Sequence, residues 1–108
     1  MDKYHKSSLT KEWLISNNFR YSRILSTDDS ITYTYRFPVY KYKGMTVLEC
    51  ELSAILGCED IKINVYDYNT NDKYAAFYYC EYGNYDKMLK LVWKKIDEVL
   101  QRLGIEKE

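Results

Sequence analysis

The chain contains few of the residues from which phosphate-binding loops and metal sites are built. Its 108 residues include four glycines, one proline and one histidine, His5. The glycines form no phosphate-binding loop motif, and so little proline and glycine argues against a disordered or linker class. A catalytic triad or a Cys–His pair would have to use His5, which lies near the N-terminus. We therefore expect no catalytic residues and no enzymatic activity.

Cysteine is also scarce and does not follow a metal-binding spacing. The chain has an odd number of cysteines, and no two of them form a C-x-x-C pair; they are Cys50, Cys58 and Cys80. A structural zinc site needs four closely spaced ligands, and a small disulfide scaffold usually has an even number of cysteines. We expect reduced cysteines that pack as small apolar side chains, and no metal or cofactor.

Neither sign of charge is in excess, because 16 Lys and Arg residues balance 16 Asp and Glu residues. That balance argues against a protein that holds nucleic acid or an anionic membrane by its overall charge. No apolar run is long enough to span a membrane, and the first eight residues lack the apolar segment of a signal peptide. We expect one cytoplasmic domain over residues 1–108, with residues 1–7 flexible.

A short helix is predicted to follow Thr10, which is a suitable N-cap residue with Glu12 in the first turn. Leu9 and Leu14 have the spacing of a hydrophobic staple. The helix should end at Asn17 and Asn18, because asparagine tolerates the left-handed conformation at a helix C-terminus.

From residue 19 to residue 82 the hydrophobic period is that of extended chain, with recurring turn sequences. Strands are predicted at about 20–26, 31–42, 45–55, 61–68 and 73–81. The short turns between them favour an antiparallel meander. Pro38 cannot donate to a sheet hydrogen bond, so we place it at an edge or a bulge, beyond which the alternation is expected to change face.

A long amphipathic helix is predicted after Asn84, with apolar residues repeating at three and four positions. Gly104 is expected to end it, with Ile105 supplying the apolar contact that accompanies a glycine cap. The predicted fold class is α+β: an N-terminal helix, an antiparallel meander sheet of four to five strands, and a C-terminal helix packed on one sheet face. The apolar positions are Leu89, Val92, Trp93, Ile96, Val99, Leu100 and Leu103.

Tyrosine is the abundant residue, with 13 copies among the 108 positions. The strand alternation places Tyr33, Tyr35, Tyr40, Tyr42 and one of the pair 78/79 on the helix-covered face. Tyr66 and Tyr68 fall on the opposite face, beside Arg36 and Lys62. These exposed tyrosines are either ordinary cross-strand pairs or part of a contact surface, where tyrosine and arginine are enriched.

The charges also separate along the chain. Residues 20–43 carry five basic residues against two aspartates, whereas residues 59–86 carry six acidic residues against two lysines. This pattern is either an ordinary mixed surface or a bipolar surface that steers a partner of matching polarity.

The segment Leu9-Thr10-Lys11-Glu12-Trp13-Leu14-Ile15-Ser16-Asn17-Asn18-Phe19 resembles the opening L-T-x-E-W-L-x-x-N-G-F of small phage and mobile-element proteins, with Asn18 in place of glycine. The helix–meander–helix plan is similar to that of small phage proteins that inhibit host defence enzymes, such as anti-CRISPR proteins. This resemblance implies a host protein as partner, such as a defence or nucleic-acid-processing enzyme, and transfers no functional residues.

The leading hypothesis is a non-enzymatic protein that binds another protein through the uncovered sheet face, using Tyr66 and Tyr68. The alternative is a nucleic-acid-binding module that uses a basic and aromatic sheet face; its candidate residues are Arg36, Lys41, Lys43 and Lys62. A steep loss of affinity with rising salt would distinguish phosphate contacts from protein contacts. Homo-oligomerisation through an edge or a tyrosine-rich face is a third hypothesis.

Overall fold

The computed structural model describes residues 4–7, 9–68 and 85–107. Two helices and six strands follow one another along these residues. In chain order they are β1 (Tyr4–His5), α1 (Lys11–Ser16), β2 (Arg20–Tyr21), β3 (Thr32–Tyr42), β4 (Met45–Ile55), β5 (Asp60–Asp67), α2 (Tyr85–Leu103) and β6 (Glu106–Lys107). The fold is α+β, as predicted.

The strands form one antiparallel sheet in the order β2-β3-β4-β5-β1-β6. The meander from β2 to β5 confirms the predicted strand order. The sheet has six strands rather than four to five, because the two ends of the described chain add β1 and β6. Residues 4 and 5 pair with both β5 and β6, so Tyr4 lies opposite Ile61 on one side and Lys107 on the other.

Residues 4–6, which belong to the segment expected to be flexible, are held at the edge of the sheet in this structure, and the flexibility of residues 1–7 stays a prediction. Tyr4 is only 8% exposed, and the Lys6 N–H donates to the Glu59 carbonyl at 3.0 Å. A strand of two residues is too short to produce a hydrophobic alternation, which is why the sequence pattern did not predict it. The predicted strand at 73–81, the N-cap Asn84 and Cys80 lie outside the described residues.

The prediction of a strand over 20–26 is too long. Only Arg20 and Tyr21 pair with another strand, where they lie opposite Thr34 and Tyr33. Residues 22–31 form a loop instead. The Ser26 side chain takes the place of a strand partner, because its hydroxyl accepts from the Thr32 N–H at 2.9 Å. This local alternative to a strand ladder is typical of serine and threonine.

Helix α1 is short, and its N-terminus is as predicted. The hydroxyl of Thr10 accepts from the Trp13 N–H at 3.2 Å, and Leu9 and Leu14 are both buried in the core. Asn18 ends the helix with a φ of 68°, in the left-handed region.

Helix α2 covers the sheet with its apolar face, and its C-terminus confirms the predicted glycine cap. Gly104 has a φ of 71°. Its N–H donates to the Gln101 carbonyl at 3.1 Å, and the Ile105 N–H donates to the Leu100 carbonyl at 2.9 Å. This pair of bonds is a Schellman motif, and Ile105 supplies the buried apolar side chain that frequently accompanies it. Trp93, predicted with the apolar face, lies at its margin and is 41% exposed.

The core lies between the helices and the face of β4 that carries Leu48, Cys50, Leu52 and Ala54, all at most 1% exposed. On β3, Tyr33, Tyr35 and Phe37 share this face, because they lie opposite Ala54, Leu52 and Cys50. The ring centroids of Tyr35 and Phe37 are 5.5 Å apart.

The alternation changes face beyond Pro38, as predicted for a bulge at this proline. Pro38 lies opposite Glu49 and Tyr40 opposite Leu48, so Val39 is an extra residue. Tyr40 returns to the core face and is partly buried. Tyr42 does not, since it is 37% exposed near the hairpin end of β3. In the ranges that the structure describes, no helix is long and apolar enough to cross a membrane.

Candidate functional site

The face of the sheet opposite the core is built of cross-strand rows that follow from the register. Each row crosses β3, β4 and β5 in turn. The rows are Thr34–Ser53–Lys62, Arg36–Glu51–Asn64 and Pro38–Glu49–Tyr66. Arg36 and Tyr66 therefore share this face, as predicted, and occupy diagonal positions on either side of Glu49 and Glu51.

These four side chains form one cluster around the guanidinium group. Arg36 Nε lies 3.6 Å from Glu49 Oε1 and 3.9 Å from Glu51 Oε2. The guanidinium carbon stands 5.2 Å from the centroid of the Tyr66 ring, in a cation–π contact. Partial burial, followed by the nearby charge of Glu51, raises the pKa of Tyr66 above its usual value, and Arg36 offsets part of this effect. Arg36 and Tyr66 thus contact each other, and Arg36 also contacts Glu49 and Glu51 of the neighbouring strand. Their role in binding a partner stays a prediction.

The other predicted binding residues are spread over the molecule. Lys41 lies opposite Thr46, and Lys62 lies opposite Ser53. Thr46 and Ser53 are seven positions apart on β4, which is about 23 Å along a strand. Lys43 lies in the turn after β3, where its Nζ stands 5.4 Å from the ring of Tyr42. Because Glu49 and Glu51 also lie beside Arg36, the four predicted cations do not form a continuous basic row.

Tyr68 lies one residue beyond β5 and is 54% exposed. Its backbone N–H donates to the Val47 carbonyl at 2.8 Å, which continues the β4–β5 ladder by one position. Its ring is therefore accessible while its backbone is held. Its part in binding stays a prediction.

A loop over residues 22–31 joins β2 to β3, where the sequence pattern predicts a strand. Its two ends are joined by the Ser22 N–H, which donates to the Thr32 carbonyl at 2.8 Å. Ser26 Oγ donates to the Ser22 carbonyl at 2.6 Å, and the Thr27 hydroxyl accepts from the Ser30 N–H at 3.1 Å. The Leu56 N–H donates to the Ile31 carbonyl at 2.8 Å and ties the loop to the end of β4. The loop is thus fixed by its own polar groups rather than by an apolar core.

This arrangement leaves the apolar side chains of the segment in solvent. Ile24 is 95% exposed, and Tyr21, Leu25 and Ile31 are each at least 43% exposed. We call these four residues the loop surface. Isolated exposed apolar residues are normal in soluble proteins, but a concentration of them in one segment is typical of an interaction site.

A groove adjoins the loop surface at β2. It has a volume of about 680 Å³ and lies between the end of α1 and the strands β2 and β3. The Phe19 and Tyr35 rings in its wall have their centroids 5.5 Å apart. Its lining residues are Ile15, Asn18, Phe19, Arg20, Thr34, Tyr35 and Arg36. The groove therefore combines apolar walls with two guanidinium groups.

One signal in the sequence could have indicated this loop. Ser22, Ser26, Thr27 and Ser30 are spaced as in turns closed by side-chain hydroxyls. Ile24 and Leu25, however, are apolar residues that favour a strand, so the pattern predicts that they belong to the sheet. The hydrogen-bond partners of the hydroxyls decide whether this segment is a strand or a loop, and the sequence alone does not show those partners.

The described residues hold no group of three metal ligands. Cys50 and Cys58 are free thiols; burial, followed by the charge of Glu51, raises the pKa of Cys50 to about 12. His5 Nε2 lies 3.8 Å from Glu106 Oε2 across the β1–β6 pair. These groups do not form an activated nucleophile with a base.

No protein-family model, curated protein or solved structure matches the chain. The resemblance of residues 9–19 to phage and mobile-element proteins stays a prediction.

Proposed function

We propose that this protein is a non-enzymatic binding protein that contacts another protein through the loop surface and the adjoining groove. One observation carries the proposal. The described residues include ten exposed large hydrophobic side chains, and five of them are Ile15 of the groove and the four residues of the loop surface. Apolar surface concentrated in this way is favourable to bury against a partner.

The rigidity of the loop supports the same function. A loop that is ordered before binding loses less conformational entropy when a partner docks, so more of the contact energy appears as affinity. The hydroxyls of Ser26 and Thr27 hold the loop from inside. The apolar side chains are therefore free to contact a partner while the backbone that carries them is already fixed.

The groove supplies the second part of the proposed contact. Its volume lies in the range of sites that accept a side chain or a small group. Arg20 is exposed on one side, and Arg36 connects the groove to the sheet face. A partner could insert an apolar side chain beside Phe19 and place a carboxylate near Arg20. It would then contact both the apolar wall and a guanidinium group of the groove.

The helix–meander–helix plan, which is similar to that of small phage inhibitors of host defence enzymes, favours a class of partner. That class is a host protein, such as a defence or nucleic-acid-processing enzyme. The sheet-face residues Arg36, Tyr66 and Tyr68 would extend the same contact if the partner reached beyond the groove.

Site-specific photo-crosslinking in lysate of the native host tests this function. A benzophenone amino acid replaces Ile24 in one variant and Met45 in the other; Met45 is also apolar and is 71% exposed, but it starts β4 at the far hairpin. We expect one partner protein to crosslink from position 24 and not from position 45. Equal crosslinking from both positions would contradict the proposal. A crosslink from position 24 to a second copy of the chain would replace it with self-association.

A further inference from the structure

The end of the β3–β4 hairpin carries an exposed apolar surface that the proposed function does not use. Tyr42 and Met45 lie opposite each other on the two strands and are 37% and 71% exposed. The Tyr68 N–H donates to the Val47 carbonyl, so Tyr68, which is 54% exposed, lies beside this end of β4. We call the following residues the hairpin tip: Lys41, Tyr42, Lys43, Met45 and Tyr68.

The hairpin tip extends past the neighbouring strand β5. The last residue of β5, Asp67, lies opposite Leu48, and Met45 is three residues further along β4. Three residues of a strand span about 10 Å. A projecting end of this kind can contact a flat surface, which a groove or a concave face could not do.

Two lysines give the hairpin tip a local positive charge. Lys41 and Lys43 are both exposed, and residues 37–48 contain no other charged side chain. None of the ion pairs among the described residues includes either lysine. The zero net charge of the chain does not oppose a local contact, because charges more than about 10 Å apart are largely screened in salt solution.

The acidic residues closest to the tip along the chain do not neutralise these lysines. Glu49 is the first one along β4, and its Oε1 lies 3.6 Å from Arg36 Nε. Asp67 is the first one along β5, and it is only 3% exposed. Asp72 follows in the sequence and lies outside the described residues. Asp86, at the start of α2, forms no ion pair with either lysine.

The backbone at Lys43 supports a role for its charge. Lys43 and Gly44 have φ values of 51° and 81°, the two positive angles of a type I′ turn. Asparagine, aspartate or glycine is usual at the first of these positions, because a longer side chain is strained there. The chain therefore keeps a lysine at its tip at a cost in stability.

An anionic lipid bilayer fits this combination of groups. Tyrosine rings and exposed apolar side chains enter the headgroup region, while lysines contact the anionic headgroups. Base stacking of a nucleic acid fits less well, because the Lys43 ammonium already lies over the Tyr42 ring, 5.4 Å from its centroid. Lysine is also depleted at protein–protein interfaces. We propose that the hairpin tip binds the surface of an anionic bilayer, with Met45 among the headgroups.

This contact is separate from the loop surface. Tyr21 of the loop surface lies opposite Tyr33, and Tyr42 is nine residues further along β3, which is about 30 Å. The inference therefore does not rest on the proposed function. A bilayer at the hairpin tip leaves the loop surface accessible to a partner protein, so the protein would act at a membrane surface.

Flotation of the full-length protein with lipid vesicles tests the proposal. One set of vesicles contains phosphatidylcholine and phosphatidylserine, and the neutral set contains phosphatidylcholine alone. A fluorescent single-stranded DNA, followed by fluorescence anisotropy, is the competing anionic ligand. Two variants remove groups of the hairpin tip, and they are Lys41→Gln/Lys43→Gln and Met45→Ser.

Each variant has a matched control outside the hairpin tip and the loop surface. Lys11→Gln/Lys62→Gln removes the same charge from exposed positions. Leu91→Ser removes an apolar side chain that is 50% exposed on α2. Because all of these side chains are exposed, we expect each variant to fold, and urea unfolding verifies this.

We expect binding to the phosphatidylserine vesicles that weakens as salt rises, and less binding to the neutral vesicles and to the DNA. The paired lysine variant should weaken vesicle binding about tenfold to thirtyfold, since each lysine near an anionic surface contributes a factor of about five. Met45→Ser should weaken it severalfold, and neither control should weaken it. Absence of binding to the anionic vesicles, equal binding to both kinds of vesicle, tighter binding to DNA, or equal losses in the tip variants and their controls would each overturn the proposal.

Discussion

The hydroxyl of Ser26 accepts a hydrogen bond from the backbone N–H of Thr32 at 2.9 Å and donates one to the Ser22 carbonyl at 2.6 Å. One side chain thus closes the loop on which the proposed contact depends. Because hydrogen bonds hold the loop, its apolar side chains do not have to pack in a core, and they remain in solvent.

Ser26→Ala should lower the stability of the protein and loosen this loop. The substitution leaves the Thr32 N–H, in a 4% exposed residue, without its acceptor, at a cost of about 1–2 kcal/mol. Urea unfolding measures the loss, and amide exchange at Thr32 should accelerate. Ser16→Ala is the matched control, because its hydroxyl also donates to a backbone carbonyl but is exposed. An equal loss in both variants would show that Ser26 does not hold the loop.

Ile24→Ser should leave stability within about 0.5 kcal/mol of the wild type, since its side chain is already in water. Leu52→Ala, at a fully buried core position, should cost about 2–5 kcal/mol. Urea unfolding of the two variants makes the comparison, and partner capture should be lost in Ile24→Ser alone. A large loss of stability in Ile24→Ser would mean that this residue packs inside the protein in solution.

The thiol of Cys50 should resist alkylation in the native protein. Its pKa is raised from 9.0 to about 12, so the thiol is protonated at pH 8, and it is also buried. In a Cys80→Ser background, iodoacetamide at pH 8 should modify Cys58 first and Cys50 only after urea is added. Rapid native labelling of Cys50, located by peptide mass mapping, would contradict the burial.

The raised pKa of Cys50 also predicts how the free energy of unfolding changes with pH above pH 9. Between pH 9 and pH 12 the Cys50 thiol ionises in the unfolded chain while it stays protonated in the folded protein. The unfolded state therefore binds fewer protons, and stability falls as the pH rises through this window. Cys50→Ala should reduce that fall and leave the profile below pH 9 parallel to the wild type.

Arg36 and Glu51 should show a favourable coupling in a double-mutant cycle. The variants Arg36→Met and Glu51→Gln, alone and combined, should give a coupling free energy of about 0.5–1 kcal/mol, because the pair is partly exposed. Urea unfolding at low and high salt provides the measurement, and salt should reduce the coupling. The cycle of Lys62→Met with Glu51→Gln is the control and should show less coupling. Equal coupling free energies in the two cycles would mean that Arg36 and Glu51 do not interact specifically.

Tyr4→Ala should destabilise the protein by about 2–4 kcal/mol, since it removes a buried ring carried by β1, the strand that joins β5 to β6. Tyr21→Ala removes a mostly exposed ring and should cost under about 1 kcal/mol. Thermal unfolding of both variants distinguishes them. A negligible effect of Tyr4→Ala would indicate that β1 does not hold the N-terminus in the sheet in solution.

The proposed contact was predictable only in part. Alternation along β3 and β5 predicted that Arg36 and Tyr66 share a face, because side chains two residues apart must point the same way. It did not predict that Glu49 and Glu51 would engage the same guanidinium, which depends on the register between strands. It also could not place Ile24, since an apolar residue after a strand is equally compatible with a longer strand and with an exposed loop.

Local chemistry by itself determined the two helices, their caps at Thr10 and Gly104, and the antiparallel order of β2 to β5. These features follow from hydrogen bonds and alternation within a few residues of the chain. The tertiary structure alone decided that Tyr4 and Glu106 lie in neighbouring strands and that Ile24 faces water. Their positions depend on partners far away in the sequence, since a two-residue strand is stable only when other strands complete its hydrogen bonds.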